Sequence, residues 1–85
     1  PDDLSERTIN ATVMPNPAST HTRIRWNRPF TGKLLITDLL GKVVLEKSLD
    51  NQDHLYLEVD HWPRGNYIVR STLSGSQDIT RFSLR

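Results

Sequence analysis

Residues 57–70 read Leu57-Glu58-Val59-Asp60-His61-Trp62-Pro63-Arg64-Gly65-Asn66-Tyr67-Ile68-Val69-Arg70, and this stretch decides the fold. Leu57 and Val59 fall on one side of an extended chain and Glu58 and Asp60 on the other, the period-2 alternation of a half-buried strand. The run breaks at Pro63-Arg64-Gly65, where proline presets one dihedral and glycine permits a positive φ. A second strand follows, with Tyr67 and Val69 facing one way and Asn66, Ile68 and Arg70 the other. Trp62, just before the break, is placed to fold its indole over the two strands as a plug. Strand, aromatic plug, Pro-x-Gly corner and tyrosine-bearing strand describe a β-arch.

The same alternation extends outward in both directions. Ile9, Ala11 and Val13 oppose Asn10 and Thr12 in a first strand, which Met14-Pro15-Asn16-Pro17 stops by withholding two backbone donors. Thr22, Ile24 and Trp26 oppose Arg23 and Arg25 in the next, and Arg28-Pro29-Phe30-Thr31-Gly32 reads as a turn. Residues 33–39 form a strand with Leu34 and Ile36 inward; after Asp38 a tight Leu39-Leu40-Gly41-Lys42 connection leads to its hairpin partner, Val43 to Leu49. Asp50-Asn51-Gln52-Asp53 reads as a polar loop. Beyond the arch, a strand from Asn66 to Leu73 turns at Ser74-Gly75-Ser76 into a last strand ending at Leu84. There Ile79 is out of step with Phe82 and Leu84, which predicts a bulge. About seven short strands, turn signals at roughly 8- to 12-residue spacing and no helical periodicity predict an all-β fold, an immunoglobulin-like antiparallel β-sandwich. Residues 1–10 are expected to be a linker or short N-terminal extension, with a marginal helical turn from Asp3 to Arg7, and 11–85 the domain.

A chain of 85 residues with 35% hydrophobic content supports one small domain. Its net charge is +1; Asp2, Asp3 and Glu6 against Arg7 set the first ten residues at −2 and the remainder at +3. That excess is too weak, and too bare of motifs, to indicate nucleic acid. The absence of cysteine excludes a disulfide scaffold and a thiolate metal site. No apolar run approaches the ~20 residues of a membrane-spanning helix, and no signal-peptide pattern stands within these residues, while any targeting segment of a longer parent would lie outside them. The chain opens on Pro1 without a methionine and is expected to be a segment of a longer protein.

Little in the sequence has the pattern of a reactive centre. His21, His54 and His61 lack metal-ligand spacing, and Asp50, Asn51 and Asp53 lack the glycine and distal glutamate of a calcium loop. No Ser-His-Asp arrangement sits at a strained turn, and a thin sandwich offers little concave pocket. An enzyme, a metal site and a cofactor are therefore not expected. Asp38 is expected to accept hydrogen bonds from backbone amides at its turn. Pro15, Asn16 and Pro17 either meet a partner directly or only end a strand. Gly65 and Tyr67 suit a turn and a core aromatic whose hydroxyl is tethered at the sheet margin. Trp26 and Trp62 suit core packing, or a carbohydrate-stacking pair if exposed with Tyr56. Arg70, Arg81 and Arg85 form either a basic stripe for a partner or a solvated edge that charge protects from aggregation.

Three signposts in order, Met14-Pro15-Asn16-Pro17-Ala18, then Ile36-Thr37-Asp38-Leu39-Leu40-Gly41-Lys42-Val43-Val44, then Trp62 to Arg70, resemble the C-terminal sorting domain of type IX secretion (Por secretion) substrates in Bacteroidota, type A. The likeness covers roughly residues 12–85 and lies in the order and spacing of the motifs. Thr37 stands where an aromatic is common, Trp62 where leucine is usual, and Arg81 and Arg85 where lysines are preferred; arginine keeps the charge but not the compact ammonium. The resemblance implies a sorting signal that directs its parent protein from the periplasm through the outer-membrane translocon. Its implied partners are that translocon, an outer-membrane shuttle protein and a sortase-like peptidase, with release or attachment at the cell surface. The implied recognition residues are Pro15, Asn16, Pro17, Gly65, Tyr67, Arg70, Arg81 and Arg85, with weak homodimerisation through edge strands a further expectation. Such a domain is expected at the extreme C-terminus of its parent, with Arg85 last. A carbohydrate-binding or adhesive module and a plain spacer are the competing readings.

Overall fold

Alternation runs on through two places where turns were expected, and this sets the architecture. A computed structural model describes residues 9–85; the helical turn expected from Asp3 to Arg7 lies outside the described residues. It contains β1 (Ala11–Met14), β2 (His21–Asp38), β3 (Val43–Glu58), β4 (Gly65–Leu73) and β5 (Ser76–Leu84). The expected count of about seven strands is corrected to five, because two pairs of expected strands are continuous. The buried residues of β2 from Thr22 to Ile36, namely Thr22, Ile24, Trp26, Phe30, Leu34 and Ile36, all carry even numbers, and the phase changes only at buried Thr37 near the strand's end, so Arg28 to Gly32 keeps the strand's phase instead of turning. Pro29, which has no donor for a ladder, falls where the β2–β3 register shifts between Arg25 and Phe30. The polar run Asp50 to Asp53 likewise lies within β3. Asn51 there takes a φ of 51°, and its N–H donates to Thr31 Oγ1 at 3.0 Å across the bend.

β2 is the spine of the sheet. β3 pairs with it antiparallel along one edge, with irregularities at the bend. The other edge is shared: β1 takes Arg23 to Trp26 and β4 takes Lys33 to Asp38. β5 then pairs β4 from Leu73↔Ser76 to Gly65↔Leu84 in unbroken register. The whole is one curled, all-β antiparallel sheet. The bulge expected between Ile79 and Phe82 is corrected by that register. Ile79 points outward and is 57% exposed. The inward position belongs to Thr80, whose Oγ1 lies 2.6 Å from Asp78 Oδ2 and 3.2 Å from the Ala11 carbonyl.

The core fills the inside of the curl. Ile24, Leu34, Ile36, Val59 and Val69 are fully buried, each removing apolar surface worth about 1.5–3 kcal/mol from water. Trp26 packs edge-on to Phe30 at 5.0 Å between centroids. Its Nε1–H donates to Ser71 Oγ at 2.8 Å, so the one polar atom of the buried indole is paired across the core.

Gly32 marks a close backbone approach: a Cβ there would lie 2.1 Å from the Thr72 carbonyl oxygen. Gly32→Ala must push β2 from β4 and is expected to destabilise the domain by about 2–3 kcal/mol, as overpacking does. Urea denaturation measures this, and a loss below about 0.5 kcal/mol would contradict the close packing.

Candidate recognition site

After Met14 the chain leaves β1 and crosses to the outer edge of β5. The Met14–Pro15 and Asn16–Pro17 bonds are both cis. The Asn16 side-chain amide takes the place of a strand peptide: Oδ1 accepts the Ser83 N–H at 3.0 Å, and Nδ2 donates to the Arg81 carbonyl at 3.5 Å. Ala18 continues the contact as a parallel bridge to Leu84, donating to the Ser83 carbonyl and accepting from the Arg85 N–H, each at 2.9 Å. Thr22 Oγ1 donates to the Pro15 carbonyl at 2.9 Å. Pro15, Asn16 and Pro17 remain exposed.

The arch closes the same end. Leu57 and Val59 are buried, with Glu58 and Asp60 outward, and the Val59 N–H donates to the Thr20 carbonyl at 2.8 Å. Gly65 supplies the corner with a φ of 142°, a region side chains with a Cβ rarely enter. The half-buried Trp62 ring lies 5.4 Å from Tyr67 and 6.5 Å from Phe82 between centroids, so the plug covers β4 and β5. Tyr67 is buried, stacks on Phe82 and donates its hydroxyl to the Pro63 carbonyl. Burial raises the Tyr67 phenol above its ordinary range, against the pull of the Arg64 guanidinium.

Arg64 is the residue that sequence reasoning missed. Its Nη1 donates to the carbonyls of Ser19 at 2.6 Å and Arg85 at 3.2 Å. Its Nη2 donates to those of Val59 at 2.9 Å, Trp62 at 3.1 Å and Asp60 at 3.2 Å. The available signal was chemical: a tight Pro-x-Gly arch turns several carbonyls away from any ladder, and guanidinium is the side chain with donors enough to collect them.

The β2–β3 hairpin stands opposite. Asp38 Oδ1 accepts the Leu40 and Lys42 N–H groups at 2.9 Å each, as expected. Leu40, at the tip, is 95% exposed. Leu39, Leu40 and Val44 on one side and Pro63 and Tyr67 on the other line an open groove of about 450 Å³. Register joins the two sides, since Asp38 pairs with Tyr67 and Gly65 with Leu84. Three motifs far apart in sequence thus meet at one end of the sheet.

Five of the eight expected recognition residues, Pro15, Asn16, Pro17, Gly65 and Tyr67, lie at that end, and Arg85 joins through its backbone. Arg81 likewise touches it through its backbone, its carbonyl accepting from Asn16, but its side chain is exposed on the outer face of β5, and Arg70 lies apart, exposed on the outer face of β4. Trp26 is buried and Trp62 belongs to the cluster on Tyr67 and Phe82. Exposed Tyr56 stacks on His21 at 5.6 Å. The aromatic set that a carbohydrate-binding surface requires is therefore not assembled. Among the described residues no group of three or more His, Asp or Glu could hold a metal ion. Asp53 instead pairs with His54 at 3.0 Å, a hydrogen bond that lowers its carboxyl below the usual range.

These features define a small all-β domain whose short sequence motifs meet at one end of a single sheet. A family model for the secretion system C-terminal sorting domain matches residues 12–84. The chain belongs to that family, the C-terminal sorting signals of type IX secretion, which mark exported proteins and are not catalytic. A comparison with curated proteins gives no match.

Asn16→Ala removes both amide bonds to β5 and is expected to cost about 1–2 kcal/mol. Arg64→Lys keeps the charge but loses the fork and should cost a similar amount; a fully tolerated lysine would show that the carbonyl cage contributes nothing. Because the folded-state pKa of Tyr67 is raised, its contribution is fully present below the unfolded value near 10 and is lost as pH rises through the folded value. Denaturation midpoints in alkaline buffer should therefore fall for the unaltered chain, and less steeply for Tyr67→Phe.

Proposed function

We propose that the folded domain, not a linear peptide, is the sorting signal, read by the type IX translocon and an outer-membrane shuttle protein. The supporting observation is the meeting of the three family motifs at one end of the sheet, where Asn16, Arg64 and Tyr67 hold them together. The recognition residues are Pro15, Asn16, Pro17, Gly65, Tyr67, Arg70, Arg81 and Arg85. Asn16, Gly65 and Tyr67 act by shaping the surface; the exposed prolines and arginines touch partners. The parent protein crosses the periplasm and reaches the outer-membrane surface or the medium, and a sortase-like peptidase removes the domain. The curl of the sheet brings the two halves of β2 against different neighbours, which fits an immunoglobulin-like sandwich. Any self-association is weak and runs through the edge of β3, a long strand that pairs only with β2.

A periplasm-directed fluorescent protein carrying this chain at its C-terminus tests the reading in a type IX-competent bacterium. The intact tag is expected to bring the reporter to the surface or the medium, and a tag lacking Thr80 to Arg85 to leave it in the periplasm. Retention of both, with the intact domain folded, would overturn the proposal.

A further inference from the structure

The outward residues of β2, β4 and β5 form a continuous plane with an unusual composition. Register places Leu35, Arg70 and Ile79 in one cross-strand row and Thr37, Ile68 and Arg81 in the next, with Lys33 in the row beyond Leu35. Lys33, Arg70 and Arg81 are exposed, Ile79 is 57% exposed, Leu35 and Ile68 are half-buried, and Thr37 is buried, so the accessible plane is that of the other six. These three strands present no carboxylate on the plane: Asp38 is committed to its own turn, and Asp78 to Ala11 and Thr80. Glu46, across from Leu35 on β3, makes no ion pair among the described residues. Among the described residues, three cations therefore stand without an ion pair on one face of a chain whose net charge is +1.

Protection of a sheet edge does not account for them. Arg70 lies on β4 and Lys33 on β2, and both strands are paired on both sides; edge protection concerns the outermost strands. Nor does solubility account for Ile79, which breaks the strand's alternation to stand in the open beside Arg70. Exposed apolar side chains rimmed by polar ones mark contact surfaces.

We infer that this plane is a docking surface for a partner protein that presents carboxylates interleaved with apolar side chains on a strand or flat sheet face. Neighbouring strands lie about 4.8 Å apart, so cation and apolar side chains alternate across the plane at the spacing of another sheet. A lipid surface calls for a protruding apolar ridge with cations around its rim, and here Arg70 sits between Leu35 and Ile79. The three strands offer a few hundred Å² at most, the scale of transient encounters. Opposite charge would hasten such an encounter more than prolong it, as suits a signal that must let go. The inference rests on the sorting reading and names the chemistry of the partner.

The exported-reporter fusion tests it with the full chain. R70E/R81E is expected to lower the reporter at the surface and in the medium by about tenfold or more, and Ile79→Ser by several-fold. R70K/R81K, which keeps the charge, should export like the unaltered tag. R23E/R25E, which makes the same charge change on the outer face of the β1-paired half of β2, should do so as well. Denaturation midpoints of the purified chains establish folding, and R70Q/R81Q carries the test should R70E/R81E fail to fold. Export of the folded R70E/R81E or R70Q/R81Q tag at the unaltered level overturns the inference alone. An equal loss for R23E/R25E overturns it in favour of net charge. Arginine-dependent sedimentation of the purified chain with vesicles containing about 30% anionic phospholipid would replace the protein partner with a lipid surface and overturn it too. Retention of the unaltered tag overturns the sorting reading, and this inference with it.

Discussion

Five backbone carbonyls from three separate segments point at one guanidinium, that of Arg64. The constraint behind this is general: a carbonyl turned away from water and away from a ladder costs free energy unless something donates to it. The arch leaves the carbonyls of Val59, Asp60 and Trp62 outside any ladder, the first partly buried and the other two at the surface, because a chain reversing through Pro63 and Gly65 cannot keep a strand's pairing. The crossing segment adds Ser19 and the residue after β5 adds Arg85. Planar and many-donored, guanidinium satisfies them together, and in doing so fixes the arch, the crossing segment and the last strand to one another. The aromatic cluster of Trp62, Tyr67 and Phe82 sits directly beneath and depends on the same placement.

Seen this way, the family's motifs are chiefly instructions for building an end of a sheet. Asn16 earns its place between two prolines by lending β5 a peptide-like amide where no strand is available. Asp38 closes a hairpin by accepting two amides, and Tyr67 ties its hydroxyl to the arch. Their order in sequence is fixed because their meeting in space is fixed. Trp62 and Thr37 serve this end by packing, the first half-buried on Tyr67 and Phe82 and the second buried within β2, and packing asks for volume and polarity in the right place more than for an exact side chain.

The inward faces were legible from alternation alone. Thr22, Ile24, Trp26, Leu34, Ile36, Leu57, Val59, Tyr67 and Val69 are all buried as their spacing requires. The strand ends were not, for a specific reason. Arg28-Pro29 and Asp50-Asn51 carry turn chemistry, yet the even phase of β2 and the odd phase of Leu49, Leu57 and Val59 in and after β3 pass straight across them. Turn residues there relieve a bend in a continuous strand, and phase was the better guide. The converse holds at Ile79, where an apolar residue in the outward position imitates a slip of phase although Thr80 holds the inward one. Arg64 escaped because its partners are carbonyls from Ser19 to Arg85. No local pattern names acceptors that tertiary structure alone assembles.

How the sheet disposes of its edges narrows how a partner can engage it. On β5, residues 81–85 meet Asn16 and Ala18, and Asp78 and Thr80 meet Ala11. On β3 the edge is long, but register shifts opposite Arg25 to Gly32, the positive φ of Asn51 and the charges of Glu46, Lys47, Asp50 and Asp53 all work against a foreign strand. A domain that must travel attached to a passenger gains from this, since unpaired edges are where chains aggregate. The same protection makes strand addition, the commonest way for a peptide to join a sheet, the least favourable way to read this one. On the proposed reading, recognition falls to side chains on the faces and at the motif-bearing end, where charge and shape can be sampled without opening any backbone hydrogen bond.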